Sequence, residues 1–210
     1  MHPTELEILL DKIEYLSRGA EMVVLAGSLP RGVDEAFYAV AMRELNRRGV
    51  PIALDAEGEP LRLGIEAEPF LVSPNQREAE AIVGQELNDD EDFLGALDQL
   101  ADMGASNVLI THPGGCFALL RPERGRPTRF RATGPEVEVV SSVGSSATLL
   151  AGFIAARVED ASPEDALRKA VAAGAASSLE VGAGRFEPEV MGRLIPDVGV
   201  ESLEPVPSSS

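Results

Sequence analysis

"VVSSVGSSATLLAGFIAA", residues 139–156, is the stretch whose reading decides the fold. A β-branched run breaks at Gly144, passes Ser145 and Ser146, and enters an apolar helix near Thr148. The amides of Ser145, Ser146 and Ala147 belong to the first helical turn, unpaired within the helix and at its positive end. Gly144 allows backbone to come close to a ligand. Such a turn suits a phosphate, or the charge that develops on a phosphoryl group in transfer. It equally suits a plain strand-to-helix turn with Ser145 or Ser146 as the helix cap. The turn offers no carboxylate.

Outward from this turn, strand and helix signals alternate. Residues 4–18 carry Leu6, Ile8, Leu9, Ile13 and Leu16 roughly on one stripe, the mark of an amphipathic helix. "MVVLAG" (22–27), "PIALDA" (51–56), "FLVSP" (70–74) and "NVLIT" (107–111) are short apolar strands. Helices are expected at 34–48, shortly after 56, from Asn75 through Glu80, and at 90–103. Four apolar strands alternating with helices imply βαβ units and a parallel sheet covered on both faces. "CFALL", "TRFRA" and "VEVV" between 116 and 140 read as antiparallel hairpin strands. Helices follow at 147–158, 163–181 and 187–194. One domain over 1–195 and a disordered tail over 196–210 are expected.

In parallel sheets, ligands bind at the carboxyl ends of the strands. There lie "GSLPRG" after the first strand, Asp55 after the second, "SPNQRE" after the third and "THPGG" after the fourth. Asn75 and Glu78, three apart at a helix start, can hold a hydrated Mg²⁺ or simply close a capping box. Gly27, Ser28 and Arg31 can embrace a sugar phosphate, with Arg31 as the anion fork, or only set a turn. Asp55 can orient a hydroxyl or cap a helix. Cys116, in apolar company, is expected to be a packing residue. His2 and His112 are far apart, and no Ser/His/Asp grouping or metal-ligand cluster is visible.

The net charge of −17 argues against nucleic-acid and anionic-membrane partners. No apolar run is long enough for a membrane span. The opening residues read as a helix and not as a targeting peptide. A single cysteine fits a reducing cytoplasm.

The ordered set "GSLPRGV…FY", "LDAEGEPL", "SPNQREAEAIVG", "LIT", "VVSSVGSSATLLAGFIAA" and "AVAAGAASSLEVGAGRF" resembles the PfkB-type carbohydrate kinases over nearly all of residues 20–190. Within that family it looks most like the bacterial 1-phosphofructokinases, and next like the tagatose-6-phosphate kinases. The resemblance implies a ribokinase-like three-layer α/β sandwich with a mostly parallel sheet. It implies Mg²⁺-dependent transfer of the ATP γ-phosphoryl to a sugar-phosphate hydroxyl, fructose 1-phosphate giving the 1,6-bisphosphate. By position, Asn75 and Glu78 match the family's N-x-x-E motif, which serves the metal and phosphates. Thr111 and Gly114 fall in the nucleotide-side loop, Gly144 to Ser146 match the anion hole, and Ala173, Gly174 and Ser177 match the wall against the adenine.

Three departures stand out. The family signature G-[AS]-G-D ends in the aspartate that takes the proton from the attacking hydroxyl. Here the four positions are Gly144, Ser145, Ser146 and Ala147, so the general base is a methyl group. Such a loss typically costs 10²- to 10⁴-fold. Serine in place of the second glycine is expected to crowd the approach to phosphate. The chain also begins at a point that leaves out the family's N-terminal strands and β-lid. An exposed sheet edge or apolar face, open to self-association or a complementing N-terminal chain, is therefore expected. Finally, Ser73 stands where many relatives have lysine, and "THPGGC" departs from the usual T-x-G pattern. The expected chain is thus an impaired or inactive kinase. The alternatives are a non-catalytic nucleotide- or sugar-phosphate-binding module and a truncated scaffold.

Overall fold

The computed structural model describes residues 3–122 and 126–203. The chain divides into two compact units, with the boundary between Ile110 and Thr111. Its architecture is mixed α/β.

The first unit alternates helix and strand: α1 (Pro3–Leu16), β1 (Val23–Ala26), α2 (Phe37–Asn46), β2 (Ile52–Asp55), α3 (Gly58–Ile65), β3 (Leu71–Val72), α4 (Gln76–Val83), α5 (Asp90–Asp102) and β4 (Asn107–His112), whose last two residues pass the boundary. β1, β2, β3 and β4 pair in that order, all parallel. Successive strand side chains point to opposite faces, so the complete burial of Ile52, Ala53 and Leu54 shows that β2 is covered on both. β1 differs. Leu25 is buried, but Val24 is 45% exposed. The N–H groups of Val23 and Gly27 bond to Pro51 and Asp55 of the β2 side, which leaves the opposite edge of β1 without a ladder among the unit's described residues. Ile8, Leu9, Tyr15 and Leu16 of α1 are also exposed. The exposed edge and apolar face expected from the sequence are both present.

The second unit contains β5 (Gly115–Leu120), β6 (Thr128–Thr133), α6 (Ser145–Val158), α7 (Pro163–Ser178), α8 (Pro188–Leu194), a 3₁₀ turn (Ile195–Asp197) and β7 (Gly199–Leu203). β5, β6 and β7 are antiparallel neighbours. The parallel character therefore belongs to the first unit. Gly115 has φ +141°, and a Cβ there would come within 2.0 Å of the Ala132 carbonyl oxygen, so only glycine lets β5 start against β6. Ser162 caps α7 by accepting from the Asp165 amide at 3.1 Å, and Pro163 follows at the first helical position.

Two expectations are corrected. "VEVV" (137–140) is not a strand: Val139 is exposed, and the amides of Val140 and Ser141 bond to the Ser178 carbonyl and not to a sheet. Part of the tail expected from residue 196 is a strand instead: Gly199–Leu203 pair with β6, and Arg131 forms an ion pair with Glu201 at 2.7 Å. Residues 204–210 and His2 lie outside the described residues.

Candidate active site

In the first unit, the polar residues gather at the carboxyl ends of the parallel strands. Asn75 is the N-cap of α4, and the capping box is complete. The Glu78 amide donates to Asn75 Oδ1 at 3.0 Å, and the Asn75 amide donates to Glu78 Oε2 at 2.8 Å. The two candidate metal-side residues thus hold each other. Burial raises the Glu78 pKa above the usual carboxylate range, against the lowering effect of the Asn75 backbone bond, and the neighbouring Asp55 and Glu57 push it the same way. Burial also raises the Asp55 pKa. Ser28 Oγ donates to Glu57 Oε1 at 2.6 Å. The Tyr38 hydroxyl donates to the carbonyls of Ala26 and Gly27, each at 3.0 Å, which ties α2 to the end of β1. Burial and the Asp55 charge raise its pKa. Gly27, with φ +90°, and Arg31 are exposed in the loop after β1.

The charges of Asp55 and Glu57 disfavour the charged form of Glu78, and a cation beside them would relieve that repulsion. Among the described residues, no group of three His, Cys, Asp or Glu side chains could hold a metal ion directly. Glu57 and Tyr38 were not singled out in the sequence. Glu57 sits two residues beyond Asp55 in "LDAEGEPL", and that spacing was the available signal.

In the second unit, the Gly144 turn opens α6 with its N-cap residue in the left-handed region. Gly144 has φ +82°, and a Cβ there would lie 2.9 Å from the Gly184 nitrogen, so the position tolerates only glycine. It is the N-cap of α6, with no side-chain capping bond. Ser145 and Ser146 are therefore not caps, which removes the plainer reading of the turn. Thr148 closes the turn from within, its amide donating to the Gly144 carbonyl at 2.9 Å and its Oγ1 at 2.8 Å. Ser146 Oγ accepts from Thr111 Oγ1 at 3.1 Å. The Ser145 Oγ is shielded from solvent without a partner among the described residues. A buried hydroxyl left so costs about 1–3 kcal/mol. Ala147 is exposed at the third residue of α6. Gly114 forms the turn after β4, its amide donating to His112 Nδ1 at 3.2 Å and its carbonyl accepting from Gly134.

Ala173, Gly174 and Ser177 are buried against α6. Ala173 is 1% and Ser177 0% exposed, and Gly174 is buried where a Cβ would meet Leu149 and the Ser145 carbonyl at 3.2 Å. Their small size lets α7 pack closely against the first turns of α6, so they support the anion turn from behind. Cys116 is fully buried, and burial pushes its thiol up to about 12, as a packing residue requires.

The chain superposes on phosphofructokinase-2 from Escherichia coli, in a structure with potassium, with a TM-score of 0.84 at 26% identity over 94% of this chain and 63% of that one. On ribokinase from Arabidopsis thaliana, in a complex with ribose and ATP, the TM-score is 0.72 at 24% identity, over 88% and 58%. The fold is ribokinase-like. Residues 3–190 match the pfkB family of carbohydrate kinases, and the chain belongs to that family. It is 32% identical to the 1-phosphofructokinase of Haemophilus influenzae over 88% of this chain and 58% of that protein. To the 1-phosphofructokinase of Escherichia coli strain K12 it is 34% identical, over 82% and 54%. The match thus spans little more than half the length of these relatives.

Proposed function

We propose that this chain carries phosphate- and metal-binding parts of a 1-phosphofructokinase-like sugar-phosphate kinase, and that its own phosphoryl transfer is impaired or lost. The observation that carries this reading is the α6 turn: Gly144, Ser145 and Ser146 keep the form of an anion hole, while the exposed position beyond them is Ala147. In the family reaction a sugar-phosphate hydroxyl attacks the ATP γ-phosphoryl, fructose 1-phosphate becoming fructose 1,6-bisphosphate. That hydroxyl must lose its proton, and a methyl group cannot accept one.

The remaining parts take separate roles. The free amides of the α6 turn receive phosphoryl oxygens. Thr111 and Gly114 stand on the nucleotide side. Asn75 and Glu78, with Asp55 nearby, would hold a hydrated Mg²⁺ through water, and that ion would supply charge neutralisation to the phosphates. Gly27, Ser28 and Arg31 take the sugar phosphate. Ala173, Gly174 and Ser177 act only as packing beneath the turn. The open edge of β1 suits self-association or a complementing N-terminal chain. The strongly acidic charge disfavours nucleic acid, and the inert buried thiol suits the cytoplasm. No helix among the described residues is long and apolar enough to cross a membrane.

The exposed Ala147 also favours a second reading, a binding module that holds nucleotide without turnover. A coupled assay of fructose 1,6-bisphosphate formation separates the two. The wild-type chain should be slow or silent. Ala147→Asp with Ser146→Gly, given the N-terminal portion of a full-length relative in trans, should gain 10²- to 10⁴-fold if only the base is missing. A reconstruction that binds both substrates yet stays inert would place the catalytic turn elsewhere.

A further inference from the structure

The first unit carries a second concave surface, and none of the residues that line it belongs to the site described above. It is a groove of about 260 Å³ between α1 and α2. We propose that this groove docks a basic amphipathic helix of another polypeptide, which would seat an apolar side chain on its floor and set arginine or lysine against Glu7 and Asp11.

The floor is apolar. Leu10 and Ile13 of α1 are half-buried in it, and Ala41 and Leu45 of α2 are each 1% exposed. Val40 lies among them and is 39% exposed, so an aliphatic side chain stands in the groove uncovered among the described residues. Covering it would be favourable. The rim is acidic. Glu7, Asp11 and Glu14 follow at helical spacing along one face of α1, and Glu44 joins them from α2. The two ends of this rim differ. Glu14 is held by Arg18 and Arg48, and Glu44 by Arg47 at 2.6 Å. Glu7 and Asp11 form no ion pair among the described residues, and no lysine or arginine lines the groove. Like charges four apart on a helix repel, so a cation brought from outside would relieve this pair.

Size and charge select the occupant. Small-molecule pockets run from about 300 to 1,000 Å³, and this groove falls below that range, as one filled by single side chains does. A second copy of this chain would bring a net charge of −17 to an acidic rim, which disfavours it. A helix with apolar and cationic side chains at i, i+3, i+4 and i+7 complements both floor and rim.

The test is the fluorescence anisotropy of a capped, labelled, alanine-based helical peptide titrated with the full chain. The peptide carries leucines at i and i+4 and arginines at i+3 and i+7. The wild-type chain should bind it saturably. Glu7→Gln with Asp11→Asn should weaken binding about fivefold, the size of two exposed ion pairs. Val40→Asp should weaken it at least about tenfold despite the added negative charge, because a carboxylate then occupies the apolar floor. These side chains are exposed, and thermal unfolding confirms that the variants fold. A peptide with serine in place of leucine keeps the charge and should bind at least about tenfold more weakly. Equal binding of the two peptides, or unchanged binding by Val40→Asp, would show attraction to overall acidic charge and overturn the proposal. So would a folded wild-type chain that binds neither peptide. Sedimentation of the chain alone supplies the last outcome: a dimer abolished by Val40→Asp would put a second copy in the groove and overturn the assignment of a basic partner. Failure on any of these counts leaves the kinase reading untouched, since no residue of that site is altered.

Discussion

The Oγ1 of Thr111, at the end of β4, donates to the Oγ of Ser146, in the first turn of α6, at 3.1 Å. The bond joins residues thirty-five apart in sequence and fastens the anion turn to the strand beside it. Both groups are partly buried, so removing one leaves the other short of a partner. Thr111→Val should therefore cost about 1 kcal/mol in urea unfolding. Ser146→Ala should cost a similar amount, and the double variant should cost less than the sum. Strict additivity would show that the two hydroxyls do not interact.

The carboxylates of the first unit give a pH dependence of definite sign. Burial raises the pKa of Asp55 and Glu78 in the folded chain above their ordinary values. The folded state then binds more protons than the unfolded one, so stability falls as pH rises from the ordinary carboxylate range through the raised values. Asp55→Asn should raise the thermal midpoint at pH 7 by about 2 °C, a typical response to a sub-kcal/mol gain in a chain of this size. The advantage should shrink at lower pH, where the wild-type carboxyl is itself protonated. A lower midpoint for Asp55→Asn at pH 7 would mean that the carboxylate is stabilising as it stands.

Magnesium should act on the same cluster. Millimolar Mg²⁺ should raise the wild-type midpoint at pH 7, and Glu78→Gln should abolish most of that rise. Asn75→Ala breaks the capping box and should cost about 1 kcal/mol with or without the ion. The two effects separate the structural role of the Asn75–Glu78 pair from its role toward a cation. A midpoint indifferent to Mg²⁺ in the wild type would leave the pair as a cap alone.

Cys116 is fully buried on β5, with its thiol pushed up to about 12 by burial. Thiolate is the reactive form. An aromatic disulfide reagent should therefore label the native chain at least 100-fold more slowly than the chain in denaturant, a rough figure for a shielded thiol. Equal rates would contradict the packing described for β5 and β6.

Much of this was legible from local pattern. The apolar strands β1 to β4 and the helices between them follow from periodicity, and the Asn75–Glu78 box from three-residue spacing. What was not legible depends on partners distant in sequence. "VEVV" has strand composition, but the amide of Val140 is taken by Ser178 on α7 and never reaches a ladder. β7 is polar and short, and only its register against β6, with Arg131 opposite Glu201, makes it a strand. The burial of Ala173, Gly174 and Ser177 against α6 depends on small residues meeting across two helices, a fit that motif position alone does not reveal. The serines of the α6 turn looked like caps because that is their commonest use. Gly144 holds the cap position instead, and Thr111 claims Ser146.

The most direct measurement is a calorimetric titration of Mg·ATP into the wild-type chain, alongside a fructose 1-phosphate turnover assay on the same sample. On the proposed reading, saturable nucleotide binding with little or no turnover is the expected result, because an anion hole in the α6 turn would receive phosphoryl oxygens and Ala147 cannot take a proton. Turnover by the unaltered chain at a rate that Ala147→Asp does not improve would contradict it, as would a folded chain that binds no nucleotide at all.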